Sequence, residues 1–181
     1  HAMRFTQRNV DPSSSKPLVP LAQVAKELQP GGYLDQLSVT ALELLPVNEF
    51  PKSISWGYNS SVYTAIESSY GGSKEFAALV AQAHKGGKAI LLDVVYNHLS
   101  DSPLQAVAPD VFADGETNWG DMVNYDHPVA REYFRQAVLY LWYTYSLDGY
   151  RFDATEAIVN GHINNGYIIR NGRTGSGGGW E

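Results

Sequence analysis

The chain has no cysteine among its 181 residues, so neither a disulfide framework nor a thiolate metal site can form, and redox chemistry says nothing about its compartment. No apolar run approaches the roughly 20 residues that a membrane-spanning helix needs. The first residues also lack the charged-then-apolar pattern of a secretory leader, so the expectation is a soluble chain with no membrane partner, the cytoplasm being favoured. Basic residues are scarce: 13 Lys and Arg stand against 19 Asp and Glu, a net charge of -6 with no Lys/Arg cluster, which argues against nucleic acid as a partner.

What is present is a core. With 44% hydrophobic and 12% aromatic residues, the chain can bury enough surface to fold as a globular unit. Three strand-like apolar runs end in polar residues: "SVTALELLPV" (38–47), "KAILLDVVYNH" (88–98) and "DGYRFDAT" (148–155). Their near-continuous Val, Ile and Leu content is that of strands buried on both faces, as in a parallel sheet. Helical patterns lie between them. Residues 73–87 carry Phe76, Leu79, Val80 and Ala83 at helical spacing, with Ser73 as N-cap and a Gly86-Gly87 stop. Residues 126–149 carry Val129, Phe134, Val138, Leu141, Trp142 and Tyr145 along one stripe, and a further helix with a break at Pro30-Gly31-Gly32 spans roughly 20–37.

Residues 1–3, His-Ala-Met, resemble the remnant of an expression tag and are set aside. Residues 4–158 form the α/β unit, interrupted by an insertion at 99–125 that is long for a strand-to-helix connection and so marks function. The tail, 159–181, holds seven glycines in 23 residues and is expected to be loop or disordered.

In parallel α/β folds ligands meet the carboxyl ends of the strands, and that end here is polar: Glu49, then Asp93, Asn97 and His98, then Arg151 and Asp153. Singly, each reads equally well as a helix cap. Arg151 and Asp153 are two apart on a strand, so they share one face of an otherwise apolar run, and two opposite charges there need a reason.

"DVVYNH" (93–98) and "DGYRFDAT" (148–155), together with "SWGYNSSVY" (55–63) within residues 42–92, resemble the α-amylase superfamily, glycoside hydrolase family 13. The nearest subgroup is that of branching enzymes and maltooligosyltrehalose trehalohydrolases. The resemblance covers residues 38–158. It implies a partial TIM (β/α)8 barrel carrying strands two to four, with the first strand missing or reduced to something like residues 3–9, "MRFTQRN", and an α-glucan or maltooligosaccharide as substrate. Asp153 matches the nucleophile that forms a covalent glycosyl intermediate, and Arg151 the cation that keeps it ionised. Asp93 and His98 match residues that hold the site and contact the sugar; Tyr58 matches the aromatic platform beneath it, next to Trp56. Glu156 falls where relatives often carry Lys or His on the leaving-group side. Asn97 matches a calcium-binding position of many relatives. Calcium takes about six to eight oxygens, however, and residues 99–125 offer no dense carboxylate set, so no cofactor is expected.

The family's general acid is a Glu from the fifth strand and a further Asp comes from the seventh, whereas the match here ends after the fourth. A whole barrel takes about 250 residues. The expectation is thus a fragment of a retaining α-glucan hydrolase or transglycosylase, inactive alone. The alternative is a non-catalytic half-barrel that binds glucan or serves as an assembly unit, completed by self-association or by the remainder of the barrel.

Overall fold

The computed structural model describes residues 1–8, 19–52, 55–155 and the strand at 166–169. Three strands run parallel and adjacent: β1 (Ala41–Leu44), β4 (Ala89–Val94) and β8 (Gly149–Phe152). Ala41 pairs with Ala89 and Leu44 with Leu92; Leu91 pairs with Gly149, which sets Asp93 opposite Arg151. These are the three apolar runs of the sequence, in the expected order. Ile90, Leu92, Val94, Tyr150 and Phe152 are buried, as strands covered on both faces require.

Between β1 and β4 lie β2 (Asn48–Glu49), β3 (Val62–Ile66) and helix α4 (Gly72–Lys85). α4 buries the expected stripe Phe76, Leu79, Val80 and Ala83 and packs on α2 (Pro20–Glu27), but its N-cap is Gly71 rather than Ser73. Gly71 has φ 111°, and a Cβ there would meet the side chains of Val19 and Glu75 at 2.7 Å, so the chain enters the helix through a turn that only glycine fits. A break and a short helix, α3 (Tyr33–Gln36), follow α2.

Helix α6 (Pro128–Tyr145) returns the chain from β4 to β8. Pro128 holds its first position and the His127 ring accepts a hydrogen bond from the Val129 N–H as N-cap. Ala130, Ala137, Leu141 and Tyr145 are its buried face, whereas Val129, placed on the stripe by its periodicity, is 43% exposed at the fraying first turn.

The insertion is structured. β5 (His98–Leu99), β6 (Phe112–Thr117) and β7 (Gly120–Val123) form a separate antiparallel sheet in the order β5-β7-β6, with the short helix α5 (Leu104–Val107) leading into it. The sheet begins directly beyond the carboxyl end of β4, so it stands over that end of the parallel strands.

Two expectations are corrected. Residues 3–8 do not make a reduced first strand: Ala2–Arg8 is a helix, α1, which packs on α2 with Thr6 fully buried and its hydroxyl donating to the carbonyls of Ala2 and Pro20 at 2.8 and 3.1 Å. The residues set aside as a tag remnant open this helix. The glycine-rich tail is not wholly irregular, because Gly166–Ile169 forms β9, antiparallel to β8, with Gly149 opposite Ile169 and Phe152 opposite Gly166. Tyr167, Ile168 and Ile169 have strand preference that the glycine count hides. The sheet order is β1-β4-β8-β9, so among the described residues its free edges are β1 and β9, not β1 and β8. The parallel strands with intervening helices are an arc of a (β/α) barrel.

Candidate active site

Four segments meet at the carboxyl end of β4 and β8. β4 delivers Asp93, whose register partner across the ladder is Arg151. Arg151 Nη1 lies 2.8 Å from both carboxylate oxygens of Asp93 and 2.8 Å from Oδ1 of Asp153, so one guanidinium nitrogen ties the two acids together. The side chain of Asp93 is 2% exposed, that of Arg151 14% and that of Asp153 27%: burial falls away from Asp93 toward the surface.

Tyr58 arrives from the segment between β2 and β3 and donates its hydroxyl to Asp93 Oδ2 at 2.7 Å. Gly57 makes this possible. It has φ 93°, and a Cβ would meet the Pro46 carbonyl at 2.3 Å, so the turn that presents Tyr58 closes only on glycine. The loop is tied to the other side of the site by Ser61 Oγ, which donates to the Ser100 carbonyl at 2.8 Å, and by the Ser100 N–H, which donates to the Ser60 carbonyl at 2.9 Å.

Asn97 and His98 follow β4. The Asn97 amide nitrogen donates to the Asp153 carbonyl at 3.1 Å, and its amide oxygen is hydrogen-bonded to His98 Nδ1. Tyr63 on β3 fixes the His98 backbone by donating its hydroxyl to the His98 carbonyl at 2.8 Å. His98 Nε2 is buried and has no hydrogen-bond partner among the described residues. Beside it opens a cleft of about 250 Å³ lined by Tyr58, Asn97, His98, Trp119, Asp153 and Ala154.

The electrostatics follow from this packing. Burial pushes the Asp93 carboxyl up to about 6, against the pull of the hydrogen bonds from Arg151 and Tyr58 and the charge of Arg151. Burial and the hydrogen bond to Asp93 raise the Tyr58 phenol. Burial holds the His98 imidazole below its ordinary value, while the Asp153 charge and the Tyr58 carbonyl pull the other way. Burial also works against the Arg151 charge, but its hydrogen bond to Asp93 and the fields of both carboxylates more than offset it.

Of the residues expected at the site, Tyr58, Asp93, Asn97, His98, Arg151 and Asp153 come together. Trp56 does not join the described lining: it is 65% exposed and its ring centroid lies 6.0 Å from that of His1. Glu156 lies outside the described residues. At Asn97, the position matched to calcium, the amide oxygen is hydrogen-bonded to His98 Nδ1, and among the described residues no group of three or more His, Asp or Glu is placed to hold a metal beside it.

Trp119 was not singled out from sequence. It sits at the turn of the β6–β7 hairpin, 59% exposed, its ring centroid 6.1 Å from that of His98. Thr117 Oγ1 accepts the N–H groups of Trp119 and Gly120 at 3.1 Å, and a Cβ on Gly120 would meet the Leu99 carbonyl at 2.4 Å, which seats the hairpin tip against β5. A Trp-Gly pair inside an insertion already marked as functional was the available signal.

Residues 21–106 match the sequence profile of the α-amylase catalytic domain. The chain is 37% identical over 133 residues to malto-oligosyltrehalose trehalohydrolase of Saccharolobus solfataricus, covering 71% of this chain and 24% of that protein. It is 32% identical over 160 residues to the 1,4-alpha-glucan branching enzyme of a Synechococcus species, covering 83% of this chain and 21% of that one. The crystal structure of an alpha-amylase from Lactobacillus plantarum superposes with a TM-score of 0.63 at 32% identity, over 74% of this chain and 34% of that chain. The chain spans about a quarter of the length of the curated relatives it matches.

Proposed function

This chain carries part of an α-amylase catalytic domain, and from that premise we propose that it supplies the nucleophile side of a retaining α-glucan hydrolase or transglycosylase. Asp153 is the nucleophile: its carboxylate attacks the anomeric carbon of the sugar and forms the covalent glycosyl intermediate. Arg151 orients that carboxylate and keeps a cation beside it, and Asp93 in turn fixes Arg151. Tyr58 and Trp119 flank the sugar, and His98 contacts it. The substrate class is an α-glucan or maltooligosaccharide, the class named for the trehalohydrolase and branching-enzyme relatives.

The observation that carries this reading is a cleft-lining carboxylate pinned through Arg151 to the buried Asp93. An ion pair serving only the fold would have no reason to set one of its acids on a cleft wall, and buried pairs are poor sources of stability.

Retaining enzymes place a second carboxyl about 5 Å from the nucleophile to protonate the leaving group. The described lining of the cleft holds Asp153 as its one carboxylate, and Asp93 is engaged by Arg151 and Tyr58. On this reading the described lining supplies the nucleophile without a general acid, so unactivated glucans are expected to turn over poorly. A glycosyl fluoride, whose leaving group departs without a proton, bypasses the missing acid. Fluoride release from α-maltosyl fluoride by this chain, lost in Asp153→Asn, is the test.

The single carboxylate and the free edges of β1 and β9 also favour a second reading: a half-barrel that binds glucan without chemistry, completed by a second copy or by the remainder of the barrel. Saturable maltoheptaose binding with no fluoride release selects it over the first.

A further inference from the structure

Asn97 is 1% exposed, and both ends of its amide are in use. The assignment of those ends is forced. The Asp153 backbone carbonyl can only accept, so the amide nitrogen must face it, and the amide oxygen must then face His98 Nδ1. An oxygen there can only accept as well. The proton of the pair is therefore on Nδ1 of His98.

We propose that Asn97 is a positioning residue: through one amide it fixes the backbone of Asp153 and locks His98 as the Nδ1–H tautomer, leaving Nε2 as a bare acceptor at the cleft. The rest of the site agrees. Tyr63 holds the His98 backbone, so the ring's remaining freedom is its rotation and its tautomer, and Asn97 removes both. His98 Nε2 is buried without a partner, which is costly unless a ligand supplies one. A bare nitrogen is satisfied by a hydroxyl donor and repels a carbonyl. The Asp153 charge and the Tyr58 carbonyl both favour a proton on the ring and so compete with this arrangement, but among the described residues neither makes a hydrogen bond to Nε2.

This rests on the reading of Asp153 and His98 as site residues, but it is tested without turnover, so the two stand or fall separately. The probe is the imidazole nitrogen spectrum of the 15N-labelled chain, in which long-range proton–nitrogen couplings identify the protonated nitrogen of His98. The wild type is expected to show a protonated Nδ1 and a bare Nε2. Asn97→Ala should lose the Nδ1–H preference, and Asn97→Asp, which retains an oxygen in place, should keep Nδ1 protonated while shifting the Asp153 amide resonances. A wild-type His98 protonated on Nε2 overturns the proposal, and that result needs no variant to fold. An unchanged tautomer in Asn97→Ala overturns it too.

Discussion

Asp93 and Arg151 are Cα partners across the β4–β8 ladder and an ion pair at 2.8 Å, so the register of two strands and the electrostatics of the cleft are one relationship. Sliding either strand by one residue would turn one of them into the apolar layer.

Removing one side of this pair strands a buried charge. Arg151→Met is expected to destabilise the chain by about 3 kcal/mol, within the range for breaking a buried pair, because Asp93 is left 2% exposed without its cation. Arg151→Met combined with Asp93→Leu should recover most of the loss. Urea unfolding of the wild type, both single variants and the double variant measures this, and a double variant as unstable as the sum of the singles would contradict it.

Asp93 gives the site a pH dependence whose sign is fixed. Burial places its folded-state value at about 6, above the 3.8 of a free aspartate, so the native chain binds this proton more tightly than the unfolded one. The resulting stabilisation is complete below about 3.8 and is lost as pH rises through 6. The groups facing Asp93 are Arg151, Tyr58 and Asp153. The carboxyl carbon resonance of Asp93 should titrate near 6, and Tyr58→Phe, which removes a hydrogen bond that favours the ionised form, should move that midpoint upward. A midpoint below 4, or a downward move in Tyr58→Phe, would show that burial does not dominate.

Trp119 stands 59% exposed at a hairpin tip and should matter for ligand rather than for fold. Trp119→Ala is expected to weaken maltoheptaose binding about ten-fold, the loss of one aromatic face, with unfolding stability within the ±0.5 kcal/mol of surface changes. Calorimetric titration and urea unfolding of the same sample separate the two effects.

The parallel strands and most of the site were legible because each rests on local pattern. Continuous apolar runs named β1, β4 and β8, and the polar residues ending them named Asp93, Asn97, His98, Arg151 and Asp153. What escaped depends on contacts that sequence does not order. α1 has only Met3 and Phe5 as long apolar side chains to declare a helical face, and it is held largely by packing on α2. β9 hides in a glycine-rich tail because its strand character comes from three residues and from a partner, β8, that is itself legible. Trp119 reaches the cleft through the β6–β7 hairpin, whose "ADGETNWGD" looks like loop until the Thr117–Gly120 turn folds it back over β5.

Among the described residues the free edges at β1 and β9 leave unpaired backbone groups, and a second copy is the commonest partner an identical chain can find. Light scattering behind size exclusion should report a dimer or larger species of this 19.9 kDa chain. A cooperative monomer would mean that the described edges are covered within the chain itself.

The nucleophile is tested most directly by trapping it. A 5-fluoro α-maltosyl fluoride carries a leaving group that needs no acid and forms a glycosyl-enzyme that turns over slowly, so it reports on Asp153 even where the acid is missing. Intact mass after incubation should rise by one fluorinated maltosyl unit, peptide mapping should place the added mass on Asp153, and Asp153→Asn should abolish it. Absence of any adduct on a folded wild-type chain that binds maltoheptaose, or an adduct on a different carboxylate, would contradict the assignment of Asp153 as the attacking group.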